Sequence, residues 1–300
     1  MKTYLKHGLI WILLSVLMMI YWIVGLMIGG AIFPGSLEGA SSESGKGELM
    51  LLIICLLNSA TILYFIYNAR IKGWKLIGAI FIILFGLQYF LSQIETFWFN
   101  DALKMSTKLI WTVVIGGAIG NLLFAMSATW ISGGFKKEQE IQLQLNGDQS
   151  AFIRTISILS IVIWPVVYFM AGYLIAWQFS DVRQYYTGTP EMESFYEIMK
   201  GNFTSGLYFF QIFRGLIWIG IGYLVLVSIQ GTTFHKAIIL GLLFSVISSS
   251  QLLLPNPIMP DMVRIPHLIE TSTSNFLWGF IVAWSLDKFL QSKIHQPQII

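Results

Sequence analysis

Eight long hydrophobic runs separated by shorter polar stretches set the pattern of this chain. They occupy residues 8–33, 49–68, 76–98, 109–132, 153–178, 205–229, 237–254 and 275–290. A hydrocarbon core of about 30 Å takes roughly 20 helical residues to cross, so the pattern predicts eight transmembrane helices. The expected fold class is all-α, a polytopic integral membrane protein of eight transmembrane helices.

Polar residues inside these runs are costly and each needs a partner, a wet cavity or a function. In the third run Gln88, Ser92 and Glu95 fall at i, i+4 and i+7, one face of a helix ending in a carboxylate. In the sixth run Gln211 and Arg214 share a face. Arg214 is the deepest charge in the chain, and insertion scales put its cost at roughly 2.5–3.5 kcal/mol. A carboxylate partner is therefore expected, Glu95 and Glu270 being the available ones. The second run contributes Cys55, Asn58 and Thr61 at spacing three. The serines at 245 and 248–250 read as small packing residues bonded to their own preceding turn. Trp164-Pro165 predicts a kink in the fifth helix.

Composition agrees with the pattern. Of 300 residues, 56% are hydrophobic and 11% charged, with a mean hydropathy of +0.71, too little polar surface to cover a soluble globule. Lys and Arg are retained on the cytoplasmic side. An N-terminus inside puts eleven basic residues in the cytoplasm, among them Lys6, Arg70, Lys136, Lys137 and Lys236. It leaves eleven of the fifteen acids on the other side, so both termini are expected in the cytoplasm. The net charge of +3 is then mostly an orientation signal, and no nucleic-acid-binding face is present. The first run is too long for a cleavable signal sequence and reads as an anchor. The expected setting is a bacterial cytoplasmic membrane. One cysteine, Cys55, allows neither an intramolecular disulfide nor a thiolate metal cluster.

Laying the two halves side by side aligns a few ordered polar positions. Tyr21 and Gly25 match Tyr168 and Gly172, and Ser92-Gln93 match Ser250-Gln251. Asp101 and Lys104 match Asp261 and Arg264, and Asn121 and Phe124 match Asn275 and Trp278. This predicts a 4+4 parallel internal repeat: residues 1–132, a cytoplasmic linker at 133–152, and residues 153–300 with an outer polar segment at 255–275. Gly25 and Gly29, and Gly116 and Gly120, have the spacing of close helix packing in lipid. The outer loop 180–204 is expected to carry a short surface helix and to act as a lid.

Segment 255–275 is the densest polar stretch, with four prolines, Asp261, Arg264, His267 and Glu270. Spacings of three put Arg264, His267 and Glu270 on one helical face, which is also what a capped amphipathic helix with internal ion pairs shows. In a chemical reading His267 is a general base oriented by Glu270 or Glu95, and Arg264 or Arg214 holds an anionic group. A divalent metal on His267, Glu270 and Glu95 is the alternative weighed against it. Neither a Gly-rich phosphate loop nor HExxH, GxSxG or CxxC occurs. No cofactor is expected.

The leading expectation is a protein that binds or translocates a small polar or anionic solute, or a lipid head group. It would do so through an outward-facing cavity between helices two, three, six and seven, lined by Arg214, Arg264, Gln88, Gln211, Asn58 and Asn275. Two alternatives stand beside it. One is an outer-leaflet hydrolase or group transferase acting on a lipid-linked substrate through His267, Glu270 and Glu95. The other is a non-catalytic accessory subunit.

Overall fold

A computed structural model describes residues 2–38, 46–135, 148–256 and 258–290. These residues are helical apart from turns and one isolated antiparallel bridge, Ala69 to Ile229. The order is α1 (Lys2–Ile32), α2 (Lys46–Asn68), α3 (Gly73–Trp98), α4 (Thr107–Ile131), α5 (Gln149–Gln178), α6 (Ser180–Thr187), α7 (Phe195–Thr204), α8 (Leu207–Ser228), α9 (Thr233–Ile247) and α10 (Asp261–Leu286). Six of them, α1 to α5 and α8, are long and apolar enough to cross a membrane. The seventh hydrophobic run folds as α9, a shorter apolar helix continued by a 3-10 turn at Ser250–Leu253. The eighth folds as α10, which is 26 residues long but begins with Asp261, Arg264 and Glu270 in its first half.

That last helix joins most of the polar segment 255–275 to the eighth hydrophobic run, whose expected start is residue 275. Only the first residues of the segment are irregular, and from Asp261 onward it is the start of α10. Pro260 sits at the N-cap, and Pro266 falls early enough that the carbonyl it deprives belongs to Met262, which is 64% exposed and can be solvated. The linker residues 136–147, the basic residues Lys136 and Lys137 among them, lie outside the described residues, as do 39–45, Pro257 and the C-terminal 291–300. The loop at 180–204 contains two short helices, α6 and α7, rather than one.

Small residues weld α1 to α4. Gly25 and Gly116 meet backbone to backbone, and a Cβ on Gly29 would sit 2.5 Å from the Thr112 carbonyl oxygen. A Cβ on Gly120 would lie 2.6 Å from that of Tyr21. Across the middle of the molecule, Arg70 N donates to Ser228 O at 2.9 Å and Gln230 N to Asn68 O at 3.2 Å, which joins the α2–α3 turn to the α8–α9 turn. Further along, Ser250 Oγ donates to Asn58 Oδ1 at 2.8 Å and Gln251 Nε2 to Ser92 Oγ at 3.0 Å. A buried ion pair, Lys236 to Asp287 at 2.7 Å, ties α9 to the end of α10 near the first of these junctions.

Three helices contain a widened π turn, at Phe85–Phe90 in α3, Leu159–Ile163 in α5 and Leu243–Ile247 in α9. In α5 the cause is legible, because Pro165 has no N–H to give the Ile161 carbonyl. The Tyr208 hydroxyl of α8 fills that vacancy, donating to Ile161 O at 2.7 Å. Tyr208→Phe should therefore cost about 1 kcal/mol, the worth of a net hydrogen bond. Chemical unfolding in detergent measures it. No change in midpoint would show that lipid or water serves the carbonyl equally well.

Candidate functional site

The strongest polar constellation lies at the end of the bundle that carries α6 and α7. On α8, Gln211, Arg214 and Trp218 fall at i, i+3 and i+7 and face inward, all of them buried. Arg214 is 4% exposed and meets Glu95 of α3 as a fork, Nη1 to Oε1 at 2.6 Å and Nη2 to Oε2 at 2.7 Å. This two-bond geometry suits a planar guanidinium. Glu95 Oε1 also accepts from the Tyr168 hydroxyl of α5 at 3.1 Å. Gln211 Oε1 accepts from Arg214 Nη1 at 3.1 Å and from Trp164 Nε1 at 3.2 Å. Arg214 is further flanked by the Tyr168 and Phe210 rings, at 5.8 and 5.9 Å from their centres.

The two ends of the ion pair differ. Side-chain exposure is 5% for Arg214 and 30% for Glu95, so the cation is fixed in the interior while the carboxylate reaches the edge. Four buried donors nearby have no acceptor among the described residues: Arg214 Nε, Gln211 Nε2, Trp218 Nε1 and Trp278 Nε1. Trp164 packs on both Trp218 and Trp278, with ring centres 5.7 and 5.3 Å away, so these donors belong to one region. It is rich in donors and poor in acceptors.

A second pair borders the first. His267 Nδ1 lies 2.8 Å from Glu270 Oε2, and His267 Nε2 is buried without a partner among the described residues. Gly172 of α5 leaves space beside this carboxylate, where a Cβ would stand 3.9 Å from Glu270 Oε1. Tyr186 of α6 sets its ring edge-on to His267 at 5.5 Å. Burial, and then the Glu95 and Glu270 carboxylates, push its phenol well above the usual range, so Tyr186 stays a donor. The α6 cap is itself anchored, with Arg183 donating to the carbonyls of Pro190 at 2.7 Å and Trp177 at 2.5 Å, and Tyr185 to that of Ile258 at 2.8 Å.

Other expected site residues go elsewhere. Arg264 pairs with Asp261 at 2.6 Å and donates to the Leu252 carbonyl, closing the turn before α10. Its guanidinium holds the Asp261 carboxyl below the usual carboxylate range. Asn275 donates to Ser248 Oγ at 2.9 Å. The expected stripe of Gln88, Ser92 and Glu95 is split, because the π turn at Phe85–Phe90 inserts an extra residue into the helical repeat. Glu95 reaches Arg214 and Ser92 faces Gln251, while Gln88 turns with Asn58 into a small cavity among α1 to α4. Among the described residues no three His, Cys, Asp or Glu side chains come together as metal ligands.

Trp164, Tyr168 and Tyr186 join the site without having been singled out for it by the sequence. A signal for the first two was present: Trp164, Tyr168 and Gly172 recur at i, i+4 and i+8, the inward face of α5. Tyr186 had none, since it arrives through the fold of a loop. Comparison with known proteins returns no matching protein family, no matching curated protein and no matching solved structure.

Proposed function

We propose that this protein binds, and carries across the bilayer, a small anionic solute or the anionic head group of a lipid, with Arg214 as the fixed cation. One observation carries the reading. A buried guanidinium with a spare N–H is neutralised by a carboxylate that is about a third exposed. An incoming oxyanion replaces Glu95 on the guanidinium fork and gains the unspent donors of Gln211 and Arg214. Glu95 is then the internal competitor that keeps the site closed when ligand is absent.

The architecture that goes with this reading has eight spans in two parallel related halves, both termini in the cytoplasm and the Arg214 site toward the outer face. Several features support it. The π turns of α3 and α9 begin 158 residues apart, the same offset as Ser92-Gln93 and Ser250-Gln251. The Ala69–Ile229 bridge joins the α2–α3 turn to the α8–α9 turn, which are the corresponding turns of the two proposed halves. Where Gly25 meets Gly116 in the first half, the aligned residues of the second are Gly172 and Glu270, so the welded seam becomes a polar one.

Untargeted lipid and metabolite mass spectrometry on the detergent-purified protein tests the reading. An anion copurifying with wild type and absent from Arg214→Gln supports it, and identical profiles contradict it. The His267–Glu270 pair favours a second reading, an outer-leaflet hydrolase or transferase with His267 as general base. That reading predicts that His267→Ala retains the bound molecule but no longer converts it.

A further inference from the structure

The first half holds a different kind of site. Between α1, α2, α3 and α4 lies a cavity of about 20 Å³, whose wall includes Asn58, Gln88, Asn121, Cys55, Tyr89 and Trp22. Asn58 and Asn121 stand near the midpoints of their helices, far from either end. Gln88 is 5% exposed and Asn121 7%, and Asn121 Nδ2 is buried without a hydrogen-bond partner among the described residues. Asn58 uses its Oδ1 to accept from Ser250, leaving its NH2 group to the cavity. Three carboxamides around one space, one of them with a buried donor left unspent, are expensive in a hydrocarbon setting, since an orphaned group costs about 1–3 kcal/mol.

We infer that this cavity is a binding site for one uncharged hydrogen-bonding molecule the size of water, bridging Gln88, Asn121 and Asn58. Size and chemistry agree. A space of roughly 10–15 Å³ suffices for a single water, which needs two to four polar partners. Carboxamides offer donors and acceptors together, as a neutral dipole requires and an ion does not. No charged residue lines the wall, so an ion here would lie uncompensated at mid-membrane depth. The π turn of α3 brings Gln88 and Tyr89 to this wall, in keeping with the role of such turns at binding sites. Through Asn58 and Ser250 the bound molecule extends a hydrogen-bonded path from the first half to the 3-10 turn that follows α9. In the proposed repeat, the matching volume of the second half is filled by Trp164, Trp218 and Trp278, so the cavity distinguishes one half from the other. This inference stands apart from the anion reading.

Thermal unfolding in detergent of Gln88→Met, Asn121→Leu and the double variant provides the test. A shared bound molecule predicts that each single change lowers the midpoint and that the double loses less than the sum, because the second change removes a partner already stranded. Orphaned carboxamides predict the opposite, namely that each single change raises the midpoint and the two effects add; that result overturns the inference. Should a variant fail to fold, radiolytic hydroxyl footprinting of wild type decides. Met18 and Cys55 are 7% and 2% exposed and border the cavity, so oxidation there reports a bound water. Unlabelled Met18 and Cys55 beside labelled surface methionines would also overturn it.

Discussion

Glu95→Leu should destabilise the folded protein by about 3 kcal/mol, one of the largest losses for a single substitution in this chain. The change leaves Arg214, 4% exposed, without the two charge-assisted bonds that justify its burial. Breaking a buried pair from one side costs about 3–5 kcal/mol, and the 30% exposure of the Glu95 side chain places this case at the lower end. Arg214→Leu acts from the other side and strands Glu95 together with the Tyr168 hydroxyl bonded to it. Changing both to Met removes the two charges at once and should return stability to within about 1 kcal/mol of wild type. Arg183→Ala should cost less than either single change, because its two carbonyl bonds lie in the exposed cap outside the spans. Equilibrium unfolding in detergent checks the series. Equal midpoints for Glu95→Leu and wild type would show the pair to be solvated rather than structural.

Gly116→Ala should cost about 1–3 kcal/mol by forcing overpacking between α1 and α4. A Cβ at this position would lie 2.6 Å from the Gly25 carbonyl oxygen, and that obstacle is backbone in the middle of a long helix. It yields only if α1 moves away from α4, which also opens the contacts at Gly29 and Gly120. Gly220→Ala in α8 is the control, since nothing lies within 4 Å of the new methyl group. Alanine favours helix over glycine by up to about 1 kcal/mol, so Gly220→Ala should be neutral or mildly stabilising. Matching effects from both substitutions would mean that helix propensity, and not the α1–α4 seam, governs the response.

Much of this arrangement is readable from the chain and some is not. The six helices long and apolar enough to cross a membrane follow from hydrophobic runs, because length and apolarity alone decide them. The partnership of Arg214 with a carboxylate follows from the cost of a deep charge, and Glu95 was one of two options. What escaped the sequence came from departures from the regular 3.6-residue helix. The π turn at Phe85–Phe90 separated Gln88 from Glu95, which a regular helix would have kept on one face. The last helix starts at Asp261, well before the predicted run at 275–290, because proline, threonine and serine disfavour helix locally whereas packing against α5, α6 and α9 overrides that preference. Tyr186 reaches His267 only because α6 folds back over the bundle, a tertiary event with no local mark.

The central claim is that Arg214 is the cation for an incoming anionic group and Glu95 its internal competitor. Thermal unfolding of the purified protein across a titration of inorganic phosphate, and separately of a short-chain phosphatidylglycerol, measures it most directly, because a ligand that binds only the folded state raises the midpoint in proportion to its occupancy. The account predicts a rise with at least one of the two in wild type, a larger rise at the same concentration in Glu95→Gln, and none in the folded Glu95→Met, Arg214→Met double variant. Phosphate alone points to a free solute and phosphatidylglycerol alone to a lipid head group. Equal rises in wild type and the double variant, or no rise in Glu95→Gln with either anion, would contradict the account.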